Sequence, residues 1–249
     1  MKNFLLNYNY GLDFSFLSFI YIILIAITIF CLIKITKHKE IIRKTKNKET
    51  IRIFVGIFFL IVIAIRRLSF AFYGVYDWHH HLDINFCSMT NIIFIIYCFT
   101  GNIKIYKLCY YMIFSGPLMA IIFPSVNVSI NNYSFFSFVV MHHLIFIINY
   151  IFLIFNNIKF HKKDFIISYI FIVLFVGFTY IFNFICDTNY NTLSSFLSLR
   201  FNMMPFFRVI VNNQFLSNLS LVLVNFTFLY IGIKVIKNNY SKSHIDNVQ

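Results

Sequence analysis

Seven apolar runs dominate this sequence, and each is close to the roughly 20 residues that an α-helix needs to cross a bilayer. They lie at 14–35, 53–73, 82–100, 104–124, 133–155, 165–186 and 214–236. Hydrophobic residues make up 60% of the chain and charged residues 12%, whereas soluble domains average about 45–50% and about 25%. The sequence therefore predicts an all-α, polytopic membrane helix bundle with seven transmembrane helices.

The basic residues are distributed unevenly between the two sides of the predicted spans. Eight of the 21 Lys and Arg residues lie in the connection 34–52, and others follow the third, fifth and seventh spans, whereas five lie on the opposite side. Basic residues favour the cytoplasmic side, so the N-terminus is predicted to lie outside and the C-terminus in the cytoplasm. This placement accounts for the net charge of +13 without a nucleic acid partner.

No internal repeat and no Pro/Gly-rich linker divides the sequence. Residues 1–238 are therefore predicted to form a single seven-helix domain, followed by a polar, disordered cytoplasmic tail at 239–249. The first apolar run ends in a dense basic stretch, which is not typical of a cleaved signal peptide. The five cysteines have no CxxC spacing, so no disulfide framework is expected. The predicted location is a cell membrane, most simply a bacterial plasma membrane.

Polar and ionisable residues concentrate in the segment 79–91, HHHLDINFCSMTN, at the outer end of the third predicted span. Such groups are costly inside a bilayer and usually have a function there. His79–His81 are expected at the water interface, whereas Cys87 enters the span by about one and a half turns. His142 lies at a matching depth in the fifth span. A reactive cysteine needs a base or a cation nearby, so Cys87 and His142 are predicted to form a functional pair.

Other polar residues of the spans allow simpler interpretations. Arg66 and Arg67, near the outer end of the second span, either extend to the lipid headgroups or hold a lipid phosphate through bidentate hydrogen bonds. Cys98 and Cys109 have apolar surroundings in the sequence, and they are expected to be small core residues.

Four short motifs resemble a bacterial family of integral membrane proteins, the YwaF-like proteins, which are related to the transmembrane protein 164 acyltransferases. The resemblance covers roughly residues 50–236. The first motif, of the Leu-Pro-Leu-His-Leu-Cys-Ser type, reads LDINFCS at 82–88, with Asp83 and Asn85 replacing its Pro and His. The remaining motifs are SGP at 115–117 with Pro124, FSFVVMHH at 136–143, and TNYNTL at 188–193. Met141 and His143 replace the Ser and Gly that flank the family histidine.

This resemblance implies an acyltransferase that acts on phospholipid acyl esters at the outer leaflet. It marks Cys87 as the nucleophile that forms a thioester and His142 as the base. Candidate substrate-binding residues are Arg66 and Arg67 for the phosphate, together with Asn85, Asn91 and Asn189 as oxyanion donors and Tyr190 as a residue that orients His142 or closes the pocket. The expected partners are phospholipids and lysophospholipids, and no cofactor or metal is required.

Two other classes of protein remain open at this point. The first is a metal-dependent membrane lipid hydrolase, in which His79 and Asp83 share a helix face. The absence of an HxxxH pair on any span weighs against this class, because zinc needs three or four converging ligands. The second is a non-catalytic transporter or assembly partner. Transporters tend to have repeats and broken helices near the bilayer midplane, whereas this chain has only 7 Gly and 3 Pro.

Overall fold

The computed structural model describes residues 19–74, 76–77, 82, 84–122, 133–188 and 213–245, and these residues form helices and short connections without a β-strand. The helices, in chain order, are α1 Phe19–Lys37, α2 Lys39–Arg43, α3 Lys48–Phe72, α4 Phe86–Thr100, α5 Ile103–Ser115, α6 Pro117–Ile122, α7 Tyr133–Val139, the π-helical turn Val140–Leu144, α8 Ile145–Phe155, α9 Lys162–Cys186 and α10 Gln214–Ile245.

Six helical segments in this described part are long and apolar enough to cross a membrane. They are α1, α3, α5 with α6, α7 with α8, α9, and α10, and they correspond to six of the seven predicted spans. The third predicted span contains α4, which has only 15 residues. The prediction placed the start of this span near residue 82, but the helix begins at Phe86 because Asn85 is extended and caps it.

Basic side chains stabilise one end of the bundle by pairing with the carboxyl ends of helices. Arg52 donates hydrogen bonds to the carbonyl oxygens of Tyr97 (3.0 Å) and Cys98 (2.6 Å). Lys48 donates to the carbonyl oxygen of Phe155, at the end of α8. The last carbonyls of a helix have no partner within it and carry partial negative charge. We call this end of the bundle, with its Lys107–Asp164 ion pair at 2.7 Å, the basic end.

An aromatic core joins α4, α5 and α8. The rings of Tyr97 and Tyr106 have centroids 4.9 Å apart, and those of Phe94 and Phe152 are 6.0 Å apart. The hydroxyl of Tyr106 donates to the Asn149 carbonyl at 2.6 Å, which satisfies its polar group in an apolar interior. Cys98 and Cys109 are fully buried in the same core, so the prediction that they are small core residues is confirmed.

The last helix is longer than the sequence predicts. The apolar run ends near residue 236 and a disordered tail was expected after 238, but α10 continues to Ile245. Residues 237–245 contain neither Gly nor Pro. Extending an existing helix is much easier than starting one, so the polar residues continue the helix that the apolar segment begins.

Candidate active site

Two helical segments depart from regular α-helical geometry near Cys87, and a third helix begins there. α4 begins one residue before it, at Phe86. The α5–α6 segment is interrupted at Gly116, where Pro117 starts a new helix. The α7–α8 segment is interrupted by the π-helical turn Val140–Leu144. Non-helical backbone at membrane depth is tolerated only where protein buries it or where it lines a cavity, and π-helical turns occur frequently at functional sites.

These interruptions lie at one level of the bundle. Cys87 is thirteen residues before Thr100, the end of α4, and His142 is thirteen residues before Phe155, the end of α8. At about 1.5 Å per residue, each is about 20 Å from the basic end. A Cβ atom on Gly116 would lie only 3.1 Å from the backbone nitrogen of Cys87. We call this part of the bundle, with Cys87, Gly116 and Val140–Leu144, the cysteine end.

Cys87 occupies the second position of α4, inside a small buried cluster. Its side chain is 8% exposed, and the cluster also contains Tyr21, Ala120 and Phe138. The first N–H groups of a helix have no carbonyl partner within it and favour a negative charge. The start of the helix therefore favours a negative charge on Cys87, whereas its apolar burial disfavours one.

His142 is held in a defined tautomer by its own helix. Its Nδ1 atom lies 2.8 Å from the carbonyl oxygen of Phe138. A carbonyl oxygen only accepts, so in the neutral ring Nδ1 carries the proton and Nε2 presents a lone pair. The ring also lies against the ring of Phe138, with centroids 4.5 Å apart. Phe138 therefore links the imidazole to the cluster that contains Cys87.

His143 is a second imidazole at the same level, with a partner on α1. Thr28 Oγ1 donates to the carbonyl of Leu24 and lies 2.8 Å from His143 Nδ1. Because its single proton is used on Leu24, Thr28 accepts from Nδ1–H, and His143 Nε2 also presents a lone pair. His143 is 3% exposed, and its Nε2 has no hydrogen-bond partner among the residues that the structure describes. Its ring approaches those of Tyr21 and Phe138, at centroid distances of 6.4 and 6.3 Å.

No hydrogen bond joins the Cys87 thiol to either imidazole among the residues that the structure describes. Catalytic hydrogen bonds are often long without substrate and tighten only in the substrate complex. The two histidines and the cysteine nevertheless share one set of neighbours, because Phe138 contacts both rings and belongs to the cluster of Cys87.

Two of the three predicted asparagine donors, Asn85 and Asn91, make hydrogen bonds within α4. Asn85 accepts the Ser88 N–H at 2.8 Å through its side-chain oxygen, which makes it the N-cap of α4. Asn91 donates to the Cys87 carbonyl at 2.7 Å, and within the described part of the chain its buried Oδ1 atom has no hydrogen-bond partner. Asn85 thus defines where the helix of the cysteine begins, and Asn91 presents an acceptor one turn further along that helix.

The remaining predicted residues lie on α3 or outside the described part. Arg66 and Arg67 are half-buried near the end of α3, and the Arg66 guanidinium lies over the ring of Phe70 at 5.8 Å. One turn before Arg66, the carbonyl of Val62 accepts the Tyr133 hydroxyl at 2.7 Å. Asn189, Tyr190, His79–His81 and Asp83 fall outside the described residues.

The metal-site interpretation receives no support from the described residues, which contain no group of three or more His, Cys, Asp or Glu side chains that could hold a metal ion. His79–His81 and Asp83, on which this interpretation depends, are outside the described residues.

Six helical segments that can cross a membrane, together with a cysteine and two histidines at one buried level, define a multi-pass helical membrane protein. A family model described as the TMEM164 family matches residues 10–236. The chain therefore belongs to the TMEM164 family, and the relationship predicted from its motifs is confirmed. Neither a curated protein nor a solved structure matches it.

Two residues of this site were missed by sequence reasoning. His143 was noted only as a departure from the family motif, and Thr28 was not singled out. Their hydrogen bond joins residues 115 positions apart, so no local pattern contains it. The Ser-Gly-Pro motif at 115–117 was a usable signal, since Pro cannot continue a helix without loss of a backbone hydrogen bond.

Proposed function

We propose that this protein is an integral membrane acyltransferase that transfers acyl chains between phospholipids through a thioester on Cys87. The observation that supports this function best is the convergence of two helix interruptions and one helix N-terminus on one cysteine, with two imidazole lone pairs at the same level. Irregular backbone in a bilayer is costly, and here it lies around the most nucleophilic type of side chain in the chain.

Topology is part of the proposal. We infer that α4 provides the seventh crossing together with the residues before it, and that the basic end faces the cytoplasm of a bacterial cell. Cys87 and His142 then lie in the outer half of a hydrocarbon core of about 30 Å, about 20 Å from the cytoplasmic side. The ester groups of outer-leaflet phospholipids approach this level from the opposite side.

In the first half-reaction, His142 Nε2 removes the thiol proton and Cys87 Sγ attacks the ester carbonyl of a donor phospholipid. The resulting oxyanion collapses, and the carbon–oxygen bond of the ester breaks. His142 returns the proton to the departing oxygen, which leaves as a lysophospholipid hydroxyl, and the acyl group remains on Cys87 as a thioester. General acid–base catalysis of this kind contributes about 10²–10⁴-fold.

In the second half-reaction, a lysophospholipid acceptor replaces the first lysophospholipid. His142 Nε2 removes the proton from its hydroxyl, whose oxygen attacks the thioester. The carbon–sulfur bond then breaks, and the Cys87 thiolate takes the proton back from His142. The exchange uses one base twice and needs no external reductant or oxidant.

We infer that backbone groups, rather than the predicted asparagines, hold the oxyanion. The N–H of Cys87 belongs to the first turn of α4, whose N–H groups lack partners within the helix. Such donors stabilise developing negative charge. Asn85 uses its side-chain oxygen as the N-cap, and Asn91 gives one N–H to the Cys87 carbonyl. Arg66, Arg67, Asn189 and Tyr190 remain candidates for contacts with the donor headgroup.

Acyl exchange between a labelled phospholipid and an unlabelled lysophospholipid in liposomes tests this proposal. Cys87→Ala is expected to abolish exchange, since without the thiol no thioester forms. Cys109→Ala is the matched control, because Cys109 is also buried but lies in the aromatic core. Exchange that persists at the wild-type rate in Cys87→Ala would refute the function. Metal analysis of the purified protein would separately identify a metal-dependent hydrolase.

A further inference from the structure

A groove at the basic end has apolar walls at one end and polar, cationic walls at the other, which matches the two parts of an amphiphile. It encloses about 620 Å³ between α1, α5 and α8, which is within the range of about 300–1,000 Å³ typical of ligand pockets. Towards the middle of the bundle its walls are Leu32, Ile33, Ile113 and Phe146. Its walls are therefore apolar at the depth where lipid chains lie.

The other end of the groove is polar and cationic. Lys37, the last residue of α1, lines it together with Thr36 and Tyr150. Thr36 Oγ1 donates to the Leu32 carbonyl at 2.7 Å and lies 2.9 Å from the Tyr150 hydroxyl. Thr36 therefore accepts from Tyr150, whose oxygen keeps its lone pairs for a hydroxyl donor. This end offers one positive charge and a hydrogen-bond acceptor.

The groove is accessible to membrane lipids because one of its walls is a peripheral helix. Only Tyr21 and Thr28 of α1 are buried, whereas Ile29, Phe30 and Ile33 are more than half exposed. An apolar helix exposed in this way faces lipid in a membrane-spanning bundle. Basic residues next to a span attract anionic headgroups, and Lys34 and Lys37 end this helix.

We propose that this groove binds an anionic membrane phospholipid of the leaflet at the basic end. Its phosphate pairs with Lys37, its glycerol region lies beside Thr36 and Tyr150, and one acyl chain extends between α1, α5 and α8 to Phe146. Phe146 is one helical turn from His142, on the side towards the basic end. The bound lipid is distinct from the acyl donor, whose ester must reach Cys87 about 20 Å from the basic end.

Quenching of tryptophan fluorescence by brominated acyl chains tests this site in the full-length protein. The chain contains one Trp, Trp78, so a Trp78→Phe, Phe146→Trp double variant reports on the groove alone. In vesicles that mix unlabelled phosphatidylcholine with a brominated lipid, brominated phosphatidylglycerol is expected to quench about fivefold more effectively than brominated phosphatidylcholine. Leu32→Trp, in the same background, provides a second reporter if the first variant does not fold.

Lys37→Gln is expected to remove this preference, whereas Lys34→Gln is the matched control. Lys34 is on the same helix, but its Nζ atom lies over the Phe30 ring at 5.3 Å, and it does not line the groove. Equal quenching by the two phospholipids would overturn the proposal. So would an equal loss of preference in both lysine variants, which would indicate general surface attraction, or stronger quenching by a brominated free fatty acid than by phosphatidylglycerol. None of these outcomes bears on acyl transfer at Cys87.

Discussion

The basic end and the cysteine end of the bundle differ in whether their polar groups have hydrogen-bond partners. At the basic end, Arg52 and Lys48 satisfy the terminal carbonyls of α4 and α8, and Lys107 pairs with Asp164. At the cysteine end, His143 Nε2 and Asn91 Oδ1 are buried acceptors that have no hydrogen-bond partner among the described residues. Buried polar groups are nearly always paired in native proteins.

This contrast separates stability from function along the bundle axis. The paired charges of the basic end hold the ends of neighbouring helices together. The unpaired acceptors and interrupted helices of the cysteine end reduce stability, and such features persist mainly at sites where they have a function. We therefore expect substitutions at the basic end to lower stability and substitutions at the cysteine end to lower activity.

The largest contrast should lie between two adjacent histidines. His142→Ala is expected to lower acyl exchange about 100-fold, the lower limit for the loss of a general base. His143→Ala should have a smaller effect, since the mechanism assigns the base to His142, and His143 connects α1 to the site through its hydrogen bond with Thr28. The measurement is the exchange rate per folded molecule in liposomes.

Thr28→Val serves as the control for that pair, because it removes the partner of His143 and leaves both imidazoles in place. It should reproduce the modest effect of His143→Ala. If His143→Ala lowers exchange 100-fold while His142→Ala does not, the roles of the two histidines are reversed and His143 is the base.

At the basic end, Arg52→Gln tests the role of the paired charges. Its two hydrogen bonds to the carbonyls of Tyr97 and Cys98 are charge-assisted, and losing such contacts lowers the free energy of unfolding by about 2 kcal/mol. The exchange rate per folded molecule should remain at the wild-type value. Thermal unfolding in detergent checks the first expectation, and a Tm equal to that of the wild type would contradict it.

Substitutions of two glycines, one at each end of the comparison, test the same contrast between stability and activity through packing. A Cβ atom on Gly56 would lie 2.6 Å from Cys98 Cβ, so Gly56→Ala should separate α3 from α4 and lower stability by about 1–3 kcal/mol. A Cβ atom on Gly116 would meet the Cys87 nitrogen at 3.1 Å, a clash that a shift of a few tenths of an ångström relieves. Gly116→Ala should therefore retain the fold and lower exchange several-fold by displacing Cys87. The comparison fails if Gly56→Ala is the variant with the greater loss of activity per folded molecule.

The smallest expected effect is at Asn85. Two substitutions there distinguish a role as the N-cap of α4 from the predicted role as an oxyanion donor. Serine is also a good N-cap, whereas alanine is not, and the difference is about 1 kcal/mol. Asn85→Ser should keep both stability and exchange, and Asn85→Ala should lose stability. A strong loss of exchange in Asn85→Ser would mean that the amide group acts on the substrate.

Membrane spans follow from local composition, which explains how much of this fold the sequence predicts. Apolar runs of sufficient length correspond to six described segments, and the apolar neighbours of Cys98 and Cys109 correctly indicated burial. The start of α4 was misplaced because a single asparagine, and not the apolar pattern, decides where that helix begins.

The site was predictable only in part, because its geometry depends on contacts between distant segments. The type and depth of Cys87 and His142 are readable from the span that each occupies, although their pairing stays a prediction. The bond between Thr28 and His143 and the approach of Gly116 to Cys87 depend on how helices pack. The π-helical turn at Val140–Leu144 has no sequence signature in the patterns that predict spans.

The most direct test of the central claim is mass spectrometry of the protein after incubation with phospholipid liposomes in the absence of a lysophospholipid acceptor. The account predicts an acyl group on the peptide that contains Cys87, removed by neutral hydroxylamine and absent from Cys87→Ala. An acyl group confined to another residue, such as Ser88, would contradict it, and so would active exchange with no modification of Cys87.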